Sequence, residues 1–572
     1  MRIHYNPHPE TILFVGAGAT QQLAMPPTSE MAKFLWDICD GDPLSVTVIE
    51  KTKCFEGRGK DVALMAFVLD GGANGNDAID LNDERWGHAF PGVQKEDVEK
   101  LVRNLRRHYD WGALKLIAKG KKGETTDEKP RDEYLQEVFT LMDVCIRDGR
   151  YFDICDGDKM LFLLVERIKA AYEVLILLIN TMFACAWQKL LETAGGQEKL
   201  KPYRKFFHSL ALLMQEEAQQ FERQGCAFNK REFYQLSYSL VTTNFEPLFL
   251  WFTWMAHKEV NKDTEMRLSN PGRMLKLLMN FPNSLGMRKP ADNGDELSPD
   301  IWFPCTEAVA QNVNNPKYVD NRVFRIGKYF PVHGMSVTRH CPKCGRLNLY
   351  MGDTWDENSA TLFQNGIIEP FKWGQEPRTE QEKVALTRGE YDALECHFCG
   401  ALTHSYDNFM FMQTQLKQRP PSFIREATDE ALADITHAKH IVLLGYSMPL
   451  DDAIWGSLLS MMSQRKEGDK LYCSVVATYD PDGPKGWIYG KELDDYLNSK
   501  NELVNDKEKV RAINNAITVF GKENVRAYVQ GVPSVFGSGE IEDVRNLLYP
   551  YNQDGWDIKE FTAAGVSRNT EI

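Results

Sequence analysis

The sequence predicts an α/β protein, a parallel sheet interrupted by a large all-helical insertion and carrying a small four-cysteine module. Three observations lead there. "TILFVGAGAT" (11–20) reads as a buried strand entering a glycine turn, and "SEMAKFLWDIC" (29–39) follows with helical spacing. Strand patterns return only far downstream, at "SYSLVTTNFEPLF" (237–249), "HIVLLGYS" (440–447), "LYCSVVATYD" (471–480) and "NVRAYVQG" (524–531), the last three separated by helix-compatible sequence. Between the first strand and the rest lies a Leu-, Ala-, Glu- and Gln-rich stretch with helical periodicity, residues 132–240.

Taken in order, Ile12–Val15 form the apolar strand, Gly16 permits a tight turn, and Ser29 is the expected N-cap of the first helix. Residues 81–130 are polar and mixed, and "KGKKGETTDEKPR" (119–131) reads as a solvated charged loop rather than a nucleic-acid patch. Three helical runs follow, "DEYLQEVFTLMDVCI" (132–146), "MLFLLVERIKAAYEVLILLINTMFACAWQKLLETAGG" (160–196) and "YRKFFHSLALLMQEEAQQFERQG" (203–225), with Ala194–Gly196 ending the second. Its apolar core, residues 174–187, is too short and too closely flanked by charge to span a bilayer, so a buried helix is expected. Residues 258–330 are irregular and yield no element. The expected divisions are 1–80 and 237–335 for the first parts of the sheet domain, 81–236 for the helical insertion, 336–402 for the cysteine module with its insert, 403–550 for the rest of the sheet, and 551–572 for a tail.

The chain has 572 residues, enough for two or three structural units, with 43% hydrophobic and 26% charged residues. A net charge of −14 argues against general binding to nucleic acid. Twelve cysteines in so long a chain, most of them single, suggest reduced thiols and a cytoplasmic protein. Met1–Glu10 is polar, and neither a signal peptide nor a membrane span is expected.

Four segments carry chemistry. In "VGAGAT" (15–20), Gly18 would let the backbone approach a pyrophosphate seated on the following helix N-terminus, although glycine turns after strands also arise for steric reasons alone. "VTTNFEP" (241–247) ends a strand in an asparagine. Asn244 would fix a ribose hydroxyl or an attacking water, or would simply cap the next helix. "CPKC" (341–344) and "CHFC" (396–399), each followed by glycine, supply Cys341, Cys344, Cys396 and Cys399 as a closed four-thiolate set for a structural Zn2+, with His340 and His397 beside it in outer roles. Asp480, at the end of a late strand, would accept a hydrogen bond from an adenosine ribose or begin a turn.

The order of these pieces resembles the sirtuin superfamily. A GAG turn comes first, then a strand ending T-x-N, then His-Gly at His333, then two zinc knuckles and a glycine-serine turn. The likeness is closer to the bacterial, defence-associated NAD-hydrolysing branch than to the protein deacetylases, and it covers roughly 11–29 and 241–531. It implies a Rossmann-like sheet of sirtuin type with NAD+ as substrate. Asn244 and His333 would be the catalytic pair at the nicotinamide ribose, and Gly16, Ala17, Gly18, Thr20, Thr243, Gly445, Tyr446, Ser447 and Asp480 would line the dinucleotide. The deacetylases' Pro-Asp-Phe-Arg stretch is replaced by "AMPPTSEM" (24–31), and "NFMFMQTQLKQRPPSF" (408–423) lacks their peptide-binding motif. The expectation is therefore an NAD+ glycohydrolase acting in abortive infection against phage, held inactive until triggered. The alternatives are a deacylase or ADP-ribosyltransferase, and a sensor of NAD or ADP-ribose without turnover. A homo-oligomer is expected, with a partner defence protein such as an ATPase, an argonaute or a phage-derived trigger.

Overall fold

The computed structural model describes residues 8–40, 45–70, 79–123, 130–131, 133–156, 159–225, 236–262, 274–280, 286–287, 322–350, 377–390, 392–410, 422–448, 457, 471–501, 507–552 and 555–556. Its centre is an eight-stranded sheet. From edge to edge the strands are Trp487–Tyr489, Val525–Tyr528, Tyr472–Val476, His440–Leu444, Thr11–Val15, Leu236–Thr242, Arg322–Pro331 and Met274–Asn280. All neighbours pair in parallel except Trp487–Tyr489, which is antiparallel. The predicted α/β class is therefore observed. The central strands "TILFV", "HIVLL" and "YCSVV" are buried along their whole length, as parallel strands covered on both faces must be.

Two strands of this sheet, Met274–Asn280 and Arg322–Pro331, come from the stretch in which no element was expected. The rest of that stretch lies largely outside the described residues, as do 411–421 and most of the tail. The first α-helix, Thr28–Asp40, begins beyond two short 3₁₀ turns, Ala17–Ala19 and Gln21–Leu23, so Ser29 lies inside the helix and is not its cap.

The insertion is helical but not wholly so. Tyr134–Asp148, Val165–Glu192 and Gly196–Arg223 are helices, and a β-hairpin, Phe152–Asp156 with Lys159–Leu163, stands between the first two. The expected charged loop begins instead as the last turn of a helix, Trp111–Lys122, where Lys119, Lys121 and Lys122 meet the negative end of the helix dipole. Asp110 caps its other end, accepting from the Ala113 amide at 2.8 Å. Val165–Glu192 is long and apolar enough to cross a membrane by length and composition, but its apolar window is 83% buried in the protein.

The cysteine module stands on a second sheet, Asn408–Met410, Gly334–His340, Leu347–Leu349 and Gly286–Met287, with a hairpin Leu394–Glu395/Leu402–Thr403 beside it. It is bonded to the helix Lys95–His108. Lys100 Nζ donates to the Thr387 carbonyl at 2.9 Å and Asn104 Nδ2 to that of Gly389 at 2.7 Å. His108 stacks on Tyr406, which stacks on His404. Burial alone would lower the His404 imidazole, but Asp407, Asp392 and Glu390 outweigh it and hold it above its ordinary value. Its folded value thus exceeds its unfolded one, so this contribution to stability is complete below the ordinary histidine value and is lost as pH rises through the raised one. His404→Gln is expected to flatten the fall in melting temperature as pH rises from the ordinary histidine value. An unchanged slope in a pH series of thermal melts would show that the imidazolium is not holding this junction.

Candidate functional site

Register aligns the carboxyl ends of six strands. Tyr528, Val476, Leu444, Val15, Thr242 and Pro331 are successive partners across the sheet. The residues that follow therefore share one edge, where ligands of open parallel sheets are held. The chain leaves Thr11–Val15 for one side of the sheet and later returns to the other, so the switch point falls between Val15 and Leu444.

At that point the two glycine turns pack on each other. The Gly16 amide donates to the Leu444 carbonyl and the Gly18 amide to that of Gly445, each at 3.0 Å. A Cβ on Gly16 would lie 2.7 Å from Tyr446 Cα, and one on Gly18 2.8 Å from the Gly445 oxygen. Both amides are thus spent on the facing turn, and the close backbone approach that Gly18 permits is met by the second turn. The helix whose N-terminus was expected to seat a pyrophosphate begins at Thr28, beyond the two 3₁₀ turns. Tyr446 turns into the core against Phe14, with ring centroids 4.5 Å apart. Ala17 and Ser447 are exposed on the outside of the paired turns. Asn515 Nδ2 donates to the Ser447 and Met448 carbonyls and so fixes the second turn.

One strand over, the Thr243 amide donates to Val15 O at 3.1 Å and the Asn244 amide to Thr242 Oγ1 at 3.0 Å. Asn244 is 6% exposed, and its Nδ2 donates to Glu246 Oε1 at 2.7 Å. Its Oδ1 has no hydrogen-bond partner among the described residues. Asn244 does not cap the next helix. Glu246 does, accepting from the Leu248 amide at 2.8 Å. Thr20, directly after the first glycine turn, donates to the same Glu246 Oε1 at 2.9 Å. Burial pushes the Glu246 carboxyl up to about 7 against the lowering effect of its three donors, the Leu248 amide, Thr20 and Asn244. Tyr203, from the helical insertion, donates to the Ala19 carbonyl at 2.8 Å, so the insertion grips the glycine turn directly.

His333 occupies the joint between the two sheets. Arg322–Pro331 ends at Pro331, Gly334 turns with φ +80°, and Gly334–His340 runs on to Cys341. The Val332 amide donates to Thr242 O at 3.1 Å and the Ser336 amide to Phe245 O at 2.8 Å, tying the joint to the Asn244 loop. His333 is buried, 5% exposed, with its ring centroid 6.2 Å from that of Phe245. Asn244 and His333 therefore follow the ends of two paired strands, the second of which lies in the stretch where no element was expected. Asp480 does not join them. Its carboxylate is buried between Lys500 Nζ at 2.8 Å and Tyr496 Oη at 3.0 Å. Burial would raise it, but these two contacts prevail and hold it below its ordinary value. Both contacts fall on Oδ2, while Oδ1 accepts from the Asp482 amide at 3.3 Å.

The four cysteine sulfurs lie within 4.8 Å of one another, with Cys341–Cys399 at 3.6 Å and Cys344–Cys396 at 3.7 Å. These separations are far too long for disulfides, whose sulfurs lie about 2.05 Å apart. They match the edge of a tetrahedron with metal–sulfur bonds of about 2.3 Å, so the set fits a metal such as zinc. Each knuckle closes the same way, the amide of Gly345 returning to Cys341 O and that of Gly400 to Cys396 O. Asn348 braces the second, donating to Cys396 Sγ at 3.4 Å and accepting from the His397 amide at 3.0 Å. His340 and His397 lie outside the sulfur cluster, His340 beside Phe423 and His397 beside Tyr350.

No family model matches the chain, and no curated protein matches it.

Proposed function

We propose that the chain is a sirtuin-like NAD+ glycohydrolase that cleaves NAD+ to nicotinamide and ADP-ribose, with Asn244 and His333 acting at the nicotinamide ribose. The observation that carries this reading is the buried Asn244 Oδ1, without a hydrogen-bond partner among the described residues, at the carboxyl edge of a parallel sheet, on a loop bonded to the one that carries His333. A buried carbonyl oxygen without a donor costs free energy. A water or a sugar hydroxyl arriving there would supply that donor.

In the proposed reaction a water oxygen bonds to C1′ of the ribose as the C1′–nitrogen bond breaks. The bonding pair returns to the pyridinium ring, so nicotinamide leaves neutral, and one proton is released. Asn244 orients the nucleophile through Oδ1. His333 serves as general base toward a ribose hydroxyl or that water, a contribution of about 10²–10⁴-fold. Metal held by the four cysteines would be structural, since four thiolates leave no open position. The helical insertion, joined to the glycine turn through Tyr203, is the proposed seat of restraint, with release by a partner or phage-derived trigger in a defence setting.

The test is purified protein with NAD+, alone and with candidate activators, with nicotinamide and ADP-ribose followed by chromatography. Both products should appear in equal amounts without an acyl acceptor. In His333→Ala and Asn244→Ala each rate should fall by about 10²–10⁴-fold. Equal rates in wild type and both variants would sink the assignment.

A further inference from the structure

Asn244 is useful to a reaction only if its amide points the right way, and a free asparagine side chain turns over at little cost. Here the choice is made by a carboxylate. Glu246 is 3% exposed and accepts at both oxygens, Oε1 from Thr20 Oγ1 and Asn244 Nδ2, Oε2 from the Leu248 amide. While ionised, which with its value pushed up to about 7 means on the alkaline side of neutral, the carboxylate only accepts, so it holds the NH2 edge of Asn244 toward itself and Oδ1 away, to the position where that oxygen has no partner among the described residues. The same carboxylate holds Thr20, which lies 226 residues before Glu246, and so ties Asn244 to the glycine turn. We infer that Glu246 is a positioning residue, a clamp that fixes the orientation of the Asn244 amide and locks it to the Gly16–Thr20 turn. The catalytic part of this inference rests on the proposed NAD+ cleavage, whereas the clamp itself does not.

Among the described residues, Tyr203 of the insertion and Tyr329 of the neighbouring strand feel the Glu246 charge, and both phenols are pushed up by burial and by the carboxylate itself. Both are therefore neutral across the working range and cannot replace it as acceptors of charge. Glutamine is the informative substitution. It keeps the volume but offers one acceptor oxygen where the site uses two. If that oxygen serves the Leu248 amide, the new NH2 faces Asn244 and turns its amide over, which withdraws Oδ1 from its present position.

The experiment compares wild type, Glu246→Gln and Thr20→Val as full-length proteins. Steady-state cleavage of NAD+ is measured together with hydrogen exchange of residues 16–23 and 243–248 in the absence of substrate. In Glu246→Gln, kcat should fall about 10²-fold with KM within about threefold, because orientation is lost while the binding surface is kept. Thr20→Val, which removes one donor and leaves the carboxylate, should lose up to about tenfold. Exchange in both segments should rise in both variants. A Glu246→Gln protein with kcat within about threefold of wild type overturns the inference, as does unchanged exchange, whether or not NAD+ is cleaved. A wild type that neither binds nor cleaves NAD+, with faster exchange in the variants, leaves the clamp standing and removes the NAD+ reading instead.

Discussion

Cys396→Ser is expected to remove any metal held by the four cysteines, open the cysteine module to protease and abolish the proposed NAD+ cleavage together. Cys145→Ser, outside the sulfur cluster, should do none of these. The reason is continuity of chain. Cys341 directly follows the strand Gly334–His340, whose other end is the joint that holds His333. That strand is paired with Leu347–Leu349 across the first knuckle and with Asn408–Met410 on its other side. Small structural zinc domains draw about 10–16 kcal/mol from the metal, which sets an upper bound here. The module has other ties: Arg339 donates to the Asp392 and Thr403 carbonyls at 2.7 and 3.0 Å, and Tyr350 Oη lies 3.0 Å from the Glu395 carbonyl. The loss should therefore be several kcal/mol, enough to unfold the module and leave the main sheet intact. Metal content by atomic absorption, limited proteolysis and product chromatography on the same sample check it. Full activity in a metal-free protein would separate the cysteines from the His333 joint.

The parts of the fold that could be read in the sequence are those whose signal is local. Thr11–Val15, His440–Leu444 and Tyr472–Val476 are apolar runs because both faces of a central parallel strand are buried. Each cysteine pair announces itself by spacing and by the glycine that follows it, and Gly345 and Gly400 do take positive φ, +71° and +68°. Met274–Asn280 and Arg322–Pro331 escaped because "MLKLLMN" favours helix as much as strand, and "RVFRIGKYFP" breaks its apolar run with charge. One of those charges, Lys328, reaches the buried Asp434 at 3.0 Å, a partner no local pattern reveals. The candidate site divides the same way. Asn244 and His333 could be picked out by the order of motifs, whereas Glu246 looks like an ordinary turn acid until folding sets Thr20 against it. The only hint was an acid two residues past a strand-end asparagine. Gly16 was expected to permit a tight turn and Gly18 a close approach to phosphate, whereas the atoms closest to both belong to a neighbour, the second turn.

That neighbour makes Gly445→Ala the most damaging small change expected at the edge of the sheet. Gly445 has φ +58°, where a Cβ costs roughly 1–2 kcal/mol for any L residue. Its added methyl would also lie 2.2 Å from the Ala19 nitrogen and 2.3 Å from the Gly18 carbonyl carbon, both backbone atoms that cannot swing aside. The turns must separate, and with them go the bonds from Gly16 to Leu444, Gly18 to Gly445 and Gly445 to Val476. Gly149→Ala is the internal control, because φ there is +64° and no atom lies within 4 Å of the new methyl. Conformation alone should cost Gly149→Ala about 1 kcal/mol, while Gly445→Ala should lose at least about 3 kcal/mol in chemical denaturation. Because Thr20 hangs from the same turn, the Glu246–Asn244 pair should loosen too, and any activity should fall further than the stability loss alone would predict. Equal costs at the two positions would mean that the turns are not packed on each other, and the glycines would revert to the role first expected of them, clearance for a bound phosphate.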